Sequence, residues 1–134
     1  MNLKEKYGEW GVILGATEGV GKAFCEKIAA GGMNVVMVGR REEKLKELGQ
    51  ELHKTYGVDY KVVKADFSQE NAADIVFEAT EGLDMGFMSY VACLHSFGKI
   101  QDTPWEKHQA MINVNVVTFM KCFYHYMKIF AAQD

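Results

Sequence analysis

Between residues 10 and 21 a short apolar run, Trp10-Gly11-Val12-Ile13-Leu14, breaks into Gly15, Gly19 and Gly21 where a helix-like pattern begins. A strand that ends in such a turn tightly constrains what can follow. Gly15 lets the chain turn sharply out of the strand, Gly19 lets backbone approach a pyrophosphate, and Gly21 lets the new helix pack against the strand. Phosphates would sit on the free N–H groups at the helix start, with Thr17, Glu18 and Val20 completing the turn. Glycine-rich turns also serve purely structural roles, so the surrounding pattern decides between the two readings.

That pattern alternates. Strand-like segments cover residues 11–14, 34–38, 60–64 and 87–92; helix-like segments cover 20–30, 42–56, part of 69–81, and a long stretch over 104–130. Such an order implies an α/β fold with a parallel sheet and right-handed crossovers in one domain over residues 1–134. Gly31-Gly32 and Gly57 close the first two helices. Thr103-Pro104-Trp105-Glu106 reads as a capping box, with an N-cap hydroxyl, Pro at the first helical position and Glu at the third. The last helix carries Ile112, Val114, Val116, Phe119, Met120, Phe123, Tyr126 and Phe130 at nearly every azimuth. A helix apolar all round needs cover on more than one side, from a partner chain or from further sequence.

The spacing Gly-x-x-x-Gly-x-Gly so close to the start resembles the short-chain dehydrogenase/reductase family, and three further segments extend the resemblance along the chain. Val35-Val36-Met37-Val38-Gly39-Arg40-Arg41 is similar to the second strand, Lys64-Ala65-Asp66-Phe67-Ser68 to the third-strand Asp motif, and Met111-Ile112-Asn113-Val114-Asn115-Val116 to the helix with the catalytic Asn. The resemblance implies a Rossmann-like doubly wound sheet in strand order 3-2-1-4. It also implies a nicotinamide cofactor held by Gly15, Thr17, Glu18, Gly19, Val20, Gly21, Arg40, Arg41, Asp66, Phe67, Ala92 and Cys93, with Asn115 in the catalytic set. An acid at the end of the second strand would accept from the ribose 2′-hydroxyl of NAD, whereas Arg accommodates the 2′-phosphate of NADP. Gly39-Arg40-Arg41 has no acid before Glu42, so NADP is expected ahead of NAD. Glu18 is a contrary note, because a carboxylate near that phosphate costs affinity unless it faces solvent or pairs with Arg40 or Arg41. Alternatively, the two arginines are surface residues opening a charged helix, and Asp66 is a turn residue beside Ser68.

The fourth strand departs from the family. Relatives carry Asn-Asn-Ala-Gly where this chain has Tyr90-Val91-Ala92-Cys93, and Val91 cannot replace the hydrogen bonds of Asn. The family reduces carbonyls or oxidises alcohols with a Ser, a Tyr-x-x-x-Lys and an Asn; of these only Asn115 is matched. The chain therefore looks like the N-terminal, cofactor-binding half of a member, truncated before the Ser and Tyr, and as given without turnover. A carbonyl or alcohol substrate would enter only with the other half present. Tyr60/Lys64 and Tyr124/Lys128 have the right spacing, but lie on the third strand and on the Asn115 helix, so both are expected in core or interface. His95-Ser96 suggests a base beside a nucleophile, but no acidic partner is placed to orient it. The rival reading is a non-catalytic nucleotide-binding or interaction module.

Composition narrows the partners. Apolar residues at 49%, charged residues at 25% and a formal charge of −3 describe a globular chain with no basic stripe, so nucleic acid is not expected. Cys25, Cys93 and Cys122 form no Cys-x-x-Cys pair, which argues against disulfides and zinc. No apolar run near 18 residues or signal-peptide core is present, so the expectation is a cytoplasmic chain without a membrane partner. The all-round apolar helix and a fourth strand left as a sheet edge point to a homo-oligomer.

Overall fold

The computed structural model describes residues 1–17 and 19–133. Its elements run α1 (Leu3–Tyr7), β1 (Trp10–Leu14), α2 (Gly19–Ala30), β2 (Asn34–Gly39), α3 (Glu42–Tyr56), β3 (Tyr60–Lys64), α4 (Ala72–Thr80), β4 (Met85–Tyr90), α5 (Trp105–Ile112), a π-helical turn (Asn113–Val117) and α6 (Thr118–Ala131). The four strands are parallel in the order β3-β2-β1-β4. This is the Rossmann-like order expected above.

Strand alternation builds two cores, one on each face of the sheet. Ile13, Val35 and Met37 point to one side, where Cys25, Ile28 and Ala29 of α2 and Leu45, Leu48 and Leu52 of α3 cover them. Val12, Leu14, Val36 and Val38 point to the other, against Ala72, Ala73 and Val76 of α4 and Cys122 and Tyr126 of α6. β2 is buried on both faces, which is why its sequence reads as one apolar run. Helix α3 ends at Gly57 in a left-handed conformation (φ +73°), whose N–H returns to the His53 carbonyl. Among the described residues no helix is long and apolar enough to cross a membrane.

Three sequence expectations need correction. β4 spans Met85–Tyr90, not 87–92: the N–H groups of Val91 and Ala92 both converge on the Leu14 carbonyl, so the chain is already leaving the ladder. The long helix runs without a break from Trp105 to Ala131 but is not α-helical throughout, because Asn113–Val117 form a π-helical turn. Thr103 forms no capping box; its hydroxyl donates to the Lys99 carbonyl at 3.1 Å, and Pro104 occupies the N-cap with no side-chain cap bond. As the sequence implied, the chain's own elements do not cover the apolar helix all round. Val114, Thr118, Cys122 and Tyr126 form one buried stripe, while Ile112, Val116, Met120, Phe123, Tyr124 and Met127 are exposed.

Helix α1 was missed, although Asn2 and Glu5 carry a signal for it. The Asn2 side chain accepts from the Glu5 N–H at 3.0 Å, an N-cap bond, and also donates its amide to the Glu5 carboxylate at 3.2 Å.

Candidate functional site

In an open parallel sheet, ligands bind outside the carboxyl ends of the strands, where the strand order reverses. Here the reversal lies between β1 and β4. A cleft of about 420 Å³ opens there, with Gly15 and Thr17 following β1 and Gly39 and Arg40 at the end of β2. Asp66, Phe67 and Ser68 follow β3, and Ala92, Cys93 and Leu94 follow β4. Ala110 of α5 and Val114 of the π-helical turn close the far side.

The glycine turn is built as its sequence suggested. Gly15 has φ +98°, a conformation that L side chains rarely adopt. A Cβ on Gly21 would collide with the Gly15 carbonyl oxygen, so bare backbone is what lets α2 start against the end of β1. Gly19, at φ +55°, has open space where its Cβ would be. Glu18 lies outside the described residues. Val20 is exposed on the first turn of α2 and does not line the cleft.

Across the cleft, Asp66 accepts from the Ser68 hydroxyl at 2.7 Å and from the Ser68 N–H at 3.0 Å. Burial alone would raise its carboxyl, but these two hydrogen bonds and the Arg40 charge outweigh it and hold the group below its ordinary value. Asp66 is thus the turn residue of the bland reading and also a cleft residue. Arg40 is exposed and lines the cleft; Arg41 does not line it and sits at the N-cap of α3.

Asn115, expected in the catalytic set, has both side-chain polar groups engaged. Its Oδ1 accepts from the Leu94 N–H at 2.9 Å and its Nδ2 donates to the Leu94 carbonyl at 2.6 Å, pinning the loop after β4. Three residues with no role of this kind expected from the sequence do related work. Asn113 Nδ2 donates to the Ser68 carbonyl at 2.8 Å, and the Thr118 hydroxyl donates to the Phe67 carbonyl at 2.8 Å. The Tyr90 hydroxyl donates to the Val114 carbonyl at 2.5 Å.

The look-alike motifs stay outside the cleft. Tyr124 is exposed on α6 with the Lys128 ammonium 5.3 Å from its ring centre, and neither lines the cleft. Tyr60 packs against Gly49 of α3, and Lys64 is exposed on β3. His95 packs edge-on to Phe97 with ring centres 5.0 Å apart. Among the described residues no cluster of His, Cys, Asp and Glu could hold a metal ion.

A family pattern described as short chain dehydrogenase matches residues 9–134. The chain belongs to that family. Within the short-chain dehydrogenases it is 84% identical, over all 134 residues, to a 7beta-hydroxysteroid dehydrogenase of Collinsella aerofaciens, covering 51% of that protein. A 7beta-hydroxysteroid dehydrogenase of Clostridium sardiniense is 46% identical over the same residues, again with 51% covered. A solved structure concerned with 7beta-hydroxysteroid dehydrogenase stereoselectivity superposes with a TM-score of 0.98 at 84% identity, covering the whole of this chain and 53% of that one. The chain therefore spans about half the length of the relatives it matches.

Proposed function

We propose that the cleft binds NADP(H), and that this chain is the cofactor-binding part of an oxidoreductase moving a hydride between the nicotinamide and a hydroxysteroid carbon. The observation that carries the cofactor choice is Arg40. It follows directly on β2 and lines the cleft, and the one carboxylate among the described lining residues, Asp66, is already engaged by Ser68. A guanidinium stays charged and offers a planar fork to a phosphate dianion. In this reading the 2′-phosphate lies at Arg40, with Arg41 adding charge beside it. The adenine lies by Asp66 and Phe67, and the pyrophosphate lies on the turn formed by Gly15, Thr17, Gly19, Val20 and Gly21. Ala92 and Cys93 present backbone to the nicotinamide ribose, and Asn115 shapes that wall by holding Leu94. When bound, the cofactor supplies the hydride.

The steroid class comes from the two relatives above, whose similarity extends over all 134 residues of this chain. The same relatives disfavour a non-catalytic module. The proton-transferring Tyr and its Lys are assigned to sequence outside this chain, because Tyr124 and Lys128 lie away from the cleft.

Titration of the chain should show NADPH binding about tenfold to a hundredfold tighter than NADH, the range expected for charge-assisted hydrogen bonds to one phosphate. Arg40→Asp should abolish or reverse that order. Equal affinities in the unmutated chain would overturn the assignment.

Homo-oligomer formation belongs to the same reading. It is supported by the exposed stripe of Ile112, Val116, Met120, Phe123, Tyr124 and Met127 beside β4, which is a sheet edge. Light scattering across a dilution series should show self-association of the chain. A mass that stays monomeric throughout would exclude it.

A further inference from the structure

The π-helical turn stands between the two walls of the cleft. A wide turn of this kind breaks the regular i→i−4 ladder and leaves carbonyls to be satisfied from elsewhere. Here the Thr118 N–H reaches back to the Asn113 carbonyl, and the carbonyl of buried Val114 is taken by the Tyr90 hydroxyl. Tyr90 reaches it from the end of β4. Its ring is held between Phe67, with ring centres 5.6 Å apart, and Phe119, with ring centres 5.3 Å apart.

The residue after Val114 is Asn115, whose amide pairs with both backbone groups of Leu94. The wall formed by residues 92–94 thus depends on where the π-helical turn sits. The opposite wall shares one tie to the turn, Asn113 to the Ser68 carbonyl, but has further supports: Asp66 closes on Ser68, and Thr118, the first residue of α6, holds the Phe67 carbonyl.

We infer that Tyr90 is a positioning residue: by occupying the Val114 carbonyl it fixes the π-helical turn, and through Asn115 it sets the cleft wall at residues 92–94, while the wall at 66–68 keeps the Asp66–Ser68 and Thr118–Phe67 bonds, which do not pass through Asn115. In a chain that lacks the Asn-Asn-Ala-Gly motif, a hydroxyl from the strand end thus anchors the loop. The inference rests on the cofactor reading only for its effect on binding; its effect on the loop needs no ligand.

Tyr90→Phe keeps the ring and removes the bond to the Val114 carbonyl. Hydrogen exchange on the apo chain should show the Leu94 amide exchanging about tenfold faster, a size suited to one hydrogen bond, with a clearly smaller change over 66–69, which Asp66 and Thr118 also hold. Asn115→Ala should do the same, and the double variant should add little to either single change, because the two residues act in series. Unchanged Leu94 exchange overturns the inference. So does equal acceleration on both walls or general loss of protection, because the hydroxyl would then hold the whole fold. In binding, Tyr90→Phe should weaken NADPH about tenfold and adenosine 2′,5′-bisphosphate, which ends before the nicotinamide, by less than about twofold. If the unmutated chain binds neither ligand, the cofactor reading fails while the exchange result still decides the role of Tyr90.

Discussion

Gly21→Ala should lower the melting temperature of the chain by roughly 10 °C or more, whereas Gly19→Ala should lower it by only a few degrees. A Cβ at residue 21 would collide with the Gly15 carbonyl oxygen and press on the Val91 side chain. Backbone against backbone cannot relax by a rotamer change, so α2 must lift from the end of β1, at a cost of about 3 kcal/mol or more. For a chain of this size each kilocalorie moves the midpoint by roughly 3–5 °C. A Cβ at residue 19 meets nothing within 4 Å; its cost is the left-handed backbone at φ +55°, about 1 kcal/mol. Nucleotide binding should reverse the ranking of the two sites. Gly19→Val leaves helix content near its original value yet should abolish binding, because the branched side chain stands in the open space assigned to the phosphates. Equal melting shifts at the two positions, or full affinity in Gly19→Val, would show that the turn does not divide its work between packing and ligand.

That division was partly legible in the sequence. The three glycines and the apolar run before them implied a strand, a sharp turn and a close-packed helix, and each follows from local backbone sterics. β2 was legible for a similar reason: four apolar residues in a row, Val35 to Val38, suit a strand buried on both faces. The Arg40 and Asp66 positions followed from the strand ends they terminate. The helix carrying Asn115 was harder. Its apolar residues fall at almost every azimuth, and the side that faces the sheet includes Thr118, whose polarity, though not its spacing, argues for solvent. Thr118 is buried because its hydroxyl has a partner in the Phe67 carbonyl 51 positions earlier, which no local pattern contains. The π-helical turn was unreadable on the same grounds, since the hydroxyl that completes it comes from Tyr90 on β4. Tyr90 stood out in the sequence only as a missing Asn. What the sequence records as a loss, the structure shows as a different bond.

Tyr126→Ala should be the most damaging single change on α6, costing about 3–5 kcal/mol, the range for deleting a large buried aromatic ring. Tyr126 is fully buried, and its ring meets Phe77 edge-on at 5.9 Å and stacks with Phe130 at 6.3 Å. Its hydroxyl lies 2.7 Å from the Thr80 hydroxyl at the end of α4, so one side chain joins α6 to α4 beneath the sheet. Tyr126→Phe keeps the ring, and the Thr80 hydroxyl still reaches the Val76 carbonyl at 3.1 Å, so the loss should be only about 1 kcal/mol. The pH dependence separates the hydroxyl from the ring. Burial pushes the Tyr126 phenol up to about 12, more than the Thr80 hydrogen bond lowers it. The folded chain therefore holds this proton where the unfolded chain, with an ordinary value of about 10, gives it up. Stability from this group is intact below about pH 10 and is lost as the pH rises toward about 12. Chemical denaturation at pH 8 and at roughly pH 11 should accordingly show the gap between the unmutated chain and Tyr126→Phe narrowing in alkali, while the Tyr126→Ala deficit in ring packing persists. A Tyr126→Ala chain as stable as Tyr126→Phe would mean that α6 is held to the sheet by the rest of its buried stripe, Val114, Thr118 and Cys122, without the ring.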